Sequence, residues 1–435
     1  MTPLSGFRTL SRNHDFTALW TGQTISELGS RMSMFVFPLL TWQLTHSTLA
    51  AALVEAAQLV GMSGALLPAG VLADRLDRRR VMRVASASGM LLYASLVVAG
   101  LLDRLTVPHL AGVALLTGVA AGVFAPAETS AVRSVVPTED LPTALSQVQA
   151  RQHVAGLLGA PVGGVLYAVT RWFPFAADAV SFAVSWLLLG RIRTDLSPAP
   201  SQGPRPRARD EIRKGIAFTM GRPFFRTLAI WSAMANLLLN AMVFVAILRL
   251  IRGGFHPGEI GLVETVVGIA GILGAMAAPR IIDRLATGRL TVLIAWSFVP
   301  LVVPMVLWNH PLAVAGSFFV GVFLNPAGNA GIQAYRIAQT PDELQGRVAS
   351  ASQFLSMSTM PLAPVLGGAL LTWLGGPAAI GALGVLVGLA ALTVTLSRSV
   401  RSVPRPAVWQ AAAMPHTDDH NGADADPVSV AGTPA

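Results

Sequence analysis

The chain has 435 residues, of which 53% belong to the hydrophobic set and only 12% are charged. Soluble globular chains carry about 25% charged residues, so this composition excludes a water-soluble particle and predicts an integral membrane protein. The chain has no cysteine, which excludes disulfides and thiol chemistry. Its formal net charge of +9 comes mostly from arginines in short segments between apolar runs, so we expect no nucleic-acid partner.

Twelve apolar runs are long enough to cross a bilayer, whose core needs roughly 20 apolar residues per helix. The runs lie at 16–43, 48–72, 82–102, 106–127, 143–169, 173–190, 224–250, 258–281, 289–308, 311–334, 345–373 and 377–397. They predict an all-α membrane protein with twelve transmembrane helices in two six-helix halves. We expect an N-terminal half over 1–192, a basic, proline-rich cytoplasmic linker over 193–222, a C-terminal half over 223–398 and a disordered cytoplasmic tail over 399–435.

Arginine and lysine lie mostly on one side of the predicted membrane, and basic residues favour cytoplasmic loops. That side holds the connection after the second run, the linker, the connection after the eighth run and the start of the tail. The opposite side keeps little beyond Arg104, Arg171, Arg249 and Arg252. We therefore expect a multi-pass protein of the cell (cytoplasmic) membrane with both termini in the cytoplasm.

The second half repeats the first with a constant offset. Residues 53–55 (LVE) match 262–264, and residues 74–75 (DR) match 283–284, with offsets of 264 − 55 = 209 and 283 − 74 = 209. Repeated six-helix halves are typical of secondary transporters, which bind the substrate between the repeats. The repeat therefore favours a transporter over a channel or a membrane enzyme.

Several motifs resemble the major facilitator superfamily. GVLADRLDRRR (70–80) and its degenerate copy at 282–289 are similar to the loop signatures that this superfamily carries between helices 2 and 3 and between helices 8 and 9. Residues 16–48 and FAADAVSF (175–182) resemble the branch that contains the enterobactin exporter and the macrolide efflux proteins. The resemblance covers roughly 10–400 and implies the major facilitator fold, with a cavity between helices 1, 4, 7 and 10.

Glycine patterns in helices 5 and 11 are similar to the Gly-Pro-x-x-Gly-Gly pattern of drug:proton antiporters in this superfamily. In helix 5 the proline is displaced by one position, and the spacing in helix 11 is closer. Such glycines can serve close helix packing as well as coupling. The arginine that these antiporters often carry within helix 4 is absent from 106–127, which puts their usual proton relay in doubt here. The candidate packing residues are Gly159, Pro161, Gly163, Gly164, Pro364, Gly367 and Gly368.

The loop between helices 2 and 3 has two interpretations. Asp74 can lie against a helix N-terminus of the other half, where the macrodipole favours an anion, and the arginines can pair with carboxylates such as Glu128. These contacts would lock one conformation, although the positive-inside rule alone also explains the arginines. The candidate latch residues are Gly70, Asp74, Arg75, Arg78, Arg79, Glu128, Asp283 and Arg284.

Polar residues within the first helix predict the lining of a central cavity. Gln23, Glu27 and Arg31 are spaced to share a face, and the 209 offset places Asn236 and Asn240 at the positions equivalent to Glu27 and Arg31. A structural ion pair between Glu27 and Arg31 is the alternative. The candidate lining residues are Trp20, Gln23, Glu27, Arg31, Met34, Asn236, Asn240, Asn325, Asn329 and Gln333.

Two further carboxylates are candidates for proton coupling. Glu55 and Glu264 have no cation three or four residues away on their own helices, and an unpaired carboxylate is costly in hydrocarbon. Each could take up and release a proton, hydrogen-bond to a neighbouring helix, or remain exposed at the rim. Glu27 is a weaker candidate because Arg31 favours its ionised form. Arg151 and Asp178 are expected to have structural roles.

These patterns predict a secondary transporter that exports small, amphipathic molecules of drug or siderophore type by alternating access and proton antiport. We expect no enzymatic activity, no metal site and no cofactor, with the proton gradient as the driving force, and a monomer in the bilayer. An uptake transporter of the same fold is one alternative, and the helix 5 glycine pattern argues mildly against it. A non-transporting receptor or scaffold is the other, and the polar residues of helices 1 and 7 argue against it.

Overall fold

The computed structural model of the protein describes residues 10, 12–137, 140–197, 208–341 and 344–405. The described residues form seventeen helices and no strand. The first six helices build the N-terminal half. They are α1 (His14–Thr45), α2 (Thr48–Arg75), α3 (Arg78–Leu101), α4 (Val107–Val135), α5 (Leu141–Val169) and α6 (Phe173–Arg191).

The remaining helices belong to the linker, the C-terminal half and the beginning of the tail. They are α7 (Ala208–Gly221), α8 (Pro223–Arg252), α9 (Pro257–Arg284), α10 (Thr287–Ser297), α11 (Val302–Leu307), α12 (Pro311–Phe323), α13 (Asn325–Ala338), α14 (Gln345–Met357), α15 (Leu362–Leu374), α16 (Gly376–Leu396) and α17 (Arg398–Arg401). The predicted all-α architecture of two helical halves is confirmed.

Eleven segments of the described chain are long and apolar enough to cross a membrane. The helix α1 is not among them, although its 32 residues exceed the length that a bilayer requires. Its hydropathy is lowered by Gln23, Glu27 and Arg31, the residues that predict a cavity face. With α1, the segments correspond to the twelve predicted spans.

Three spans of the C-terminal half are broken near their middle. Residues 298–301 separate α10 from α11, Leu324 separates α12 from α13, and residues 358–361 separate α14 from α15. The sequence predicts each of these spans as one uninterrupted apolar run, at 289–308, 311–334 and 345–373. The corresponding spans of the N-terminal half, α3, α4 and α5, are each a single helix.

The two halves touch each other at one end of the molecule, which we call the closed end. It contains the connections α1–α2 and α8–α9 together with the end of α15 and the start of α16. All three hydrogen bonds that the described residues make between the halves lie in the part of the bundle toward this end. The largest cluster of buried apolar side chains also takes members from both halves.

The linker and the tail contain more structure than the sequence analysis predicted. The helix α7 lies within the predicted linker and packs against α14, where Gly215 contacts the main chain of Arg347. Within the predicted tail, residues 399–405 are ordered, and the carbonyls of Val403 and Pro404 accept hydrogen bonds from the first residues of α10. Residues 198–207 and 406–435 lie outside the described residues, so the disorder predicted for the rest of the tail stays a prediction.

Candidate substrate cavity

A cavity of about 590 Å³ lies between the two halves. Its walls come from α1 and α5 of the N-terminal half and from α8, α9, α12 and α13 of the C-terminal half, with Phe298 of the first helix break. Most of the lining side chains are apolar. They are Leu157, Leu239, Val243, Ile247, Val263, Val267, Phe298, Val314, Phe318 and Val322.

One side of this central cavity carries charge. Arg31 of α1 and Glu264 of α9 both line it, and they are close enough to attract each other. The Nε atom of Arg31 also lies 3.1 Å from the Oε1 atom of Glu27, one turn earlier on α1. Glu55 of α2 lies close enough to Glu264 for the two carboxylates to repel each other. Glu27 and Glu264 thus lie beside Arg31, and Glu55 lies beside Glu264.

The predicted lining residues of the C-terminal half divide between two cavities. Asn236, Asn240 and Asn325 line the central cavity, whereas Asn329 lines a neighbouring cavity that also includes Asn236 and Asn325. The amide of Asn240 donates to the main-chain carbonyl of Asn236 at 2.7 Å. Gln333 is exposed and is not part of either lining.

The predicted polar face of α1 is split. Arg31 lines the cavity, but Gln23 is buried and donates to the hydroxyl of Ser185 on α6 at 3.0 Å. The indole of Trp20 donates to the carbonyl of Gln147 on α5 at 3.4 Å. Met34 is half-buried and is absent from the linings of the described cavities. Gln23 and Trp20 therefore hold α1 against α6 and α5 within the N-terminal half.

Two lining residues were missed by the sequence analysis. Gln152 and His153 of α5 line the central cavity beside Gly156. They follow Arg151 within an otherwise apolar run, so three consecutive polar residues gave a signal that could have identified this part of the wall.

The charge of Arg151 is neutralised within the N-terminal half. Its guanidinium lies 2.8 Å from Glu128 of α4, with side-chain exposures of 1% and 12%. The ion pair with Glu128 therefore accounts for the structural role expected for Arg151. Glu128 contacts a neighbouring helix rather than the arginines of the α2–α3 loop, to which the latch hypothesis had assigned it.

The closed end is held by a polar cluster. Arg252 of α8 lies over the ring of Trp42 at 5.0 Å and donates to the hydroxyl of Thr48 at 3.2 Å. The same hydroxyl lies 2.7 Å from that of Thr372 on α15. Trp42 and Thr48 belong to the N-terminal half, whereas Arg252 and Thr372 belong to the C-terminal half. We call these four residues the gate cluster.

Glycines allow the halves to approach closely beside the gate cluster. A Cβ atom on Gly164 would lie 2.6 Å from the carbonyl oxygen of Pro257, and one on Gly368 would lie 2.7 Å from the Cβ atom of Ala52. Both distances are far below ordinary contact, so these positions require glycine. The other candidate glycines pack within a half. Gly159 contacts Arg31, Gly163 contacts Met32, and Gly367 contacts Ala241.

The candidate latch is only partly described. Gly70, Asp74 and Arg75 belong to α2, but their side chains lie outside the described residues. The guanidinium of Arg79 donates to the carbonyl of Thr194, and the main-chain N–H of Arg78 donates to the carbonyl of Leu196 at 3.4 Å. Both contacts join the α2–α3 loop region to the beginning of the linker, not to the C-terminal half. The side chains of Asp283 and Arg284 are exposed.

Asp15, which the sequence analysis did not single out, anchors the end of α6. Its carboxylate accepts hydrogen bonds from the main-chain N–H groups of Arg193 and Thr194, the latter at 2.7 Å, and from the Thr194 hydroxyl at 2.6 Å. Partial burial opposes ionisation, but bonds from Thr194, His14 and Arg193 outweigh it and hold the pKa of Asp15 well below its usual range. No sequence signal distinguishes this carboxylate, because Arg193 and Thr194 lie about 180 residues away from it in the chain.

Two homologous helical halves around a cavity at membrane depth define a secondary transporter. The family model of the Major Facilitator Superfamily matches residues 19–252 and 234–424, and the chain belongs to this superfamily. It is therefore a multi-pass membrane transporter with a small-molecule substrate. This assignment agrees with the prediction that the chain is not an enzyme.

The chain is similar along most of its length to two groups of characterised exporters. It is 28% identical over 374 residues to the "Multidrug efflux pump Tap" of Mycolicibacterium fortuitum, covering 82% of this chain and 87% of that protein. It is 27% identical to the protein of the same name from Mycobacterium tuberculosis strain H37Rv, covering 87% and 92%. It is 23% identical to the "Enterobactin exporter EntS" of Salmonella typhi, covering 77% and 80%. The predicted resemblance to this branch is confirmed.

Solved transporter structures share the fold. A bacterial homologue of the iron transporter ferroportin, in an inward-facing state, aligns with a TM-score of 0.64 and 16% identity over 91% of this chain and 98% of that one. A bacterial homologue of the lysosomal transporter Spinster, inward-facing and occupied, aligns with a TM-score of 0.66 and 13% identity over 88% of this chain and 96% of that one.

Proposed function

We propose that this protein exports small amphipathic molecules from the cytoplasm by alternating access, driven by proton antiport and without a cofactor. The observation that carries the proposal is the central cavity, whose walls are mainly apolar and whose charged side brings Arg31 beside Glu264. An apolar cavity with few polar groups suits molecules that partition into membranes. The similarity to a multidrug efflux pump and to an enterobactin exporter supports export over uptake.

In this proposal the closed end faces the outside of the cell and both termini lie in the cytoplasm. The arginine-rich connections α2–α3 and α9–α10 lie at the opposite end, where the positive-inside rule places the cytoplasm. The conformation described here would then be the one that receives substrate from inside. The gate cluster would separate when the cavity opens outward.

The proposed coupling site is the group of carboxylates around Arg31. Glu55 and Glu264 occupy equivalent positions in the two halves and repel each other when both are ionised. One proton on this pair removes the repulsion, and a substrate that competes for Arg31 changes which carboxylate holds the proton. Glu27 already pairs with Arg31 at 3.1 Å, so we assign it a charge-balancing role.

The α2–α3 loop and its copy after α9 complete the proposed cycle. Asp74 and Asp283 would meet the opposite half when the cytoplasmic end closes and would release it when that end opens. Arg78 and Arg79 already bind the carbonyls that follow α6. They would position the loop rather than form the latch contact themselves.

The test is proton movement in inverted membrane vesicles that hold an imposed pH gradient. The wild type is challenged with macrolides, cationic dyes and catecholate siderophores, beside Glu55→Gln, Glu264→Gln and Glu27→Gln. Asp103→Asn is the matched control, because Asp103 is an exposed carboxylate in the α3–α4 connection. We expect substrate to trigger proton release in the wild type and the control, and Glu264→Gln or Glu55→Gln to abolish it.

Other outcomes separate the parts of the proposal. Accumulation of compound in the vesicles without proton release would overturn antiport and leave export standing. Movement of compound out of the vesicles would indicate uptake by the same fold. Binding without movement in either direction, across the whole panel, would favour a receptor.

A further inference from the structure

A second cavity of about 310 Å³ lies beside the central cavity in the C-terminal half. It lies among α8, α10, α13, α14 and α16, and we call it the side pocket. Asn236, Leu239, Phe298 and Asn325 line both spaces, so the two cavities are adjacent. A single molecule that contacts these four residues therefore lies at the boundary of both.

The side pocket differs from the central cavity in its chemistry. Its polar side chains are carboxamides and hydroxyls, and none of the described residues that line it carries a formal charge. The apolar remainder includes Trp231, Phe298 and Met357. The uncharged polar set consists of Ser232, Asn236, Asn325, Asn329, Gln353 and Ser356.

Much of the hydrogen-bonding capacity of this set is unused. The amide of Asn236 donates to the Ser356 hydroxyl at 3.1 Å and to the Ser232 carbonyl at 2.9 Å, which orients its side chain. Among the described residues, none hydrogen-bonds to the side chains of Asn325 or Asn329. Asn325 is half-buried and Asn329 is exposed, so both carboxamides are open to a polar ligand that enters the side pocket.

The helix breaks of the C-terminal half meet at the side pocket. Phe298 follows the end of α10, Asn325 begins α13 directly after the Leu324 break, and Met357 ends α14 before the third break. All three residues line the side pocket. Non-helical backbone is tolerated at membrane depth where it is buried in protein or lines a cavity, so the position of the breaks supports a binding space.

We propose that the side pocket binds the uncharged, hydrogen-bonding part of the substrate, such as hydroxyl or amide groups, while the apolar body occupies the central cavity. This inference rests on the proposed function and specifies its substrate class. It predicts that neutral molecules with amide or hydroxyl groups bind more tightly than apolar cations that lack them. The reason is that a site built for hydrogen bonds discriminates against analogues that leave its polar groups unpaired.

The test compares two probes on the purified full-length protein. Chloramphenicol is a neutral aromatic amide with hydroxyl groups, whereas tetraphenylphosphonium is an apolar cation without hydrogen-bonding groups. The variants are Asn325→Ala and Asn329→Ala, with Gln339→Ala as the matched control. Gln339 is an exposed carboxamide that follows α13 and lies outside both cavities.

Asn325→Ala and Asn329→Ala should each weaken chloramphenicol binding by about 5-fold, the effect of one lost hydrogen bond, and should leave tetraphenylphosphonium binding unchanged. Gln339→Ala should change the binding of neither probe. Asn329→Asp should reverse the preference, because a carboxylate in the side pocket attracts the cation. Tryptophan fluorescence tests independently whether chloramphenicol binds beside Trp231. Chloramphenicol should change the emission of the wild type, and most of that change should be lost in Trp231→Phe.

The inference is overturned if the asparagine variants weaken both probes equally, or if Trp231→Phe keeps the full fluorescence change. Transport assays in vesicles separate this failure from failure of the proposed function. Wild-type protein that binds chloramphenicol beside Trp231 but exports nothing would leave the side pocket established and export refuted. Export that is insensitive to all three asparagine variants would refute the side pocket alone.

Discussion

The closeness of the halves at Gly368 predicts that a single added methyl group will open the closed end. In Gly368→Ala, the new Cβ atom would lie 2.7 Å from the Cβ atom of Ala52 and 3.2 Å from the carbonyl oxygen of Thr48. Carbon atoms in favourable contact are about 3.5–4.0 Å apart. The halves must therefore separate here by several tenths of an ångström, or the gate cluster must rearrange.

The size of the effect follows from the cost of overpacking. An extra methyl group in a well-packed contact costs about 1–3 kcal/mol, and this cost is paid only while the closed end is closed. A penalty of about 2 kcal/mol shifts the equilibrium between the two conformations roughly 30-fold toward the outward-open state. A larger residue at this position should shift the equilibrium further.

The assay uses the absence of native cysteine, which lets one introduced thiol report alone. Val243 lines the central cavity, so Val243→Cys reports access to it. An impermeant maleimide added outside intact cells should label this thiol up to about 30-fold faster when Gly368→Ala is present.

Two matched controls distinguish gate opening from loss of stability. Gly381→Ala adds a methyl group where no atom of a neighbouring helix lies within 4 Å, and it should change nothing. Gly367→Ala places a Cβ atom 2.9 Å from the Ala241 carbonyl within the C-terminal half. It should lower the unfolding temperature without faster external labelling. Equal labelling rates in Gly368→Ala and the parent, with the variant folded, would refute the reasoning.

Three further predictions concern other contacts. Arg252→Ala removes the gate contacts with Trp42 and Thr48 and should speed the same external labelling by about 5-fold, the effect of roughly 1 kcal/mol; no change would exclude Arg252 from the gate. Glu128→Gln should lower the free energy of unfolding by about 3–5 kcal/mol because it leaves a buried cation unpaired, and adding Arg151→Met should restore most of it in thermal unfolding. The lowered pKa of Asp15 means that its carboxylate stabilises the fold at neutral pH and loses this effect as the pH falls below the ordinary value of 3.8. Asp15→Asn should therefore flatten the acid side of the stability curve, and an unchanged acid slope would refute this role.

The repeat is the feature that the sequence predicted most reliably. The 209 offset found between helices reappears in the hydrogen bonds at the end opposite the gate. The N–H of Arg78 bonds to Leu196, and the N–H of Thr287 bonds to Pro404, so the donors keep the offset (287 − 78 = 209) and the acceptors differ from it by one residue (404 − 196 = 208). Residues 403–404 therefore repeat the segment that follows α6. This equivalence explains why the start of the tail is ordered, although its composition resembles that of a disordered segment.

The polar face of α1 was predicted only in part because an α-helix turns by about 100° per residue. Over the eight positions from Gln23 to Arg31 the accumulated rotation leaves the two side chains about 80° apart. A helix packed between a cavity and its neighbours divides such a stripe. Gln23 accordingly bonds to Ser185, while Arg31 reaches the cavity.

The helix breaks could not be predicted from proline alone. Pro300, Pro326 and Pro361 lie at the three breaks, as their missing N–H groups would suggest. Pro38, Pro126 and Pro161, however, lie inside unbroken helices. Whether a proline interrupts a membrane helix depends on which neighbouring groups satisfy the freed carbonyls. The ion-pair partner of Arg151 could not be predicted from the sequence for a similar reason, because its contact with Glu128 depends on how α4 packs against α5.

The two halves form equivalent contacts at their interface but differ in the residues that line the cavities. These two regions therefore support different parts of the proposed function. Gly164 joins α5 to α9 and Gly368 joins α15 to α2, so equivalent helices form equivalent contacts across the interface. An exchange between two conformations needs such paired contacts, because each half must pack against the other in both states. The halves differ around the cavities. Where α1 carries Glu27 and Arg31, α8 carries two asparagines, and only the C-terminal half has broken helices around a neutral pocket. Substrate and coupling ion need different chemistry, so in the proposed cycle the halves differ where these two would bind and keep equivalent contacts where the halves would move against each other.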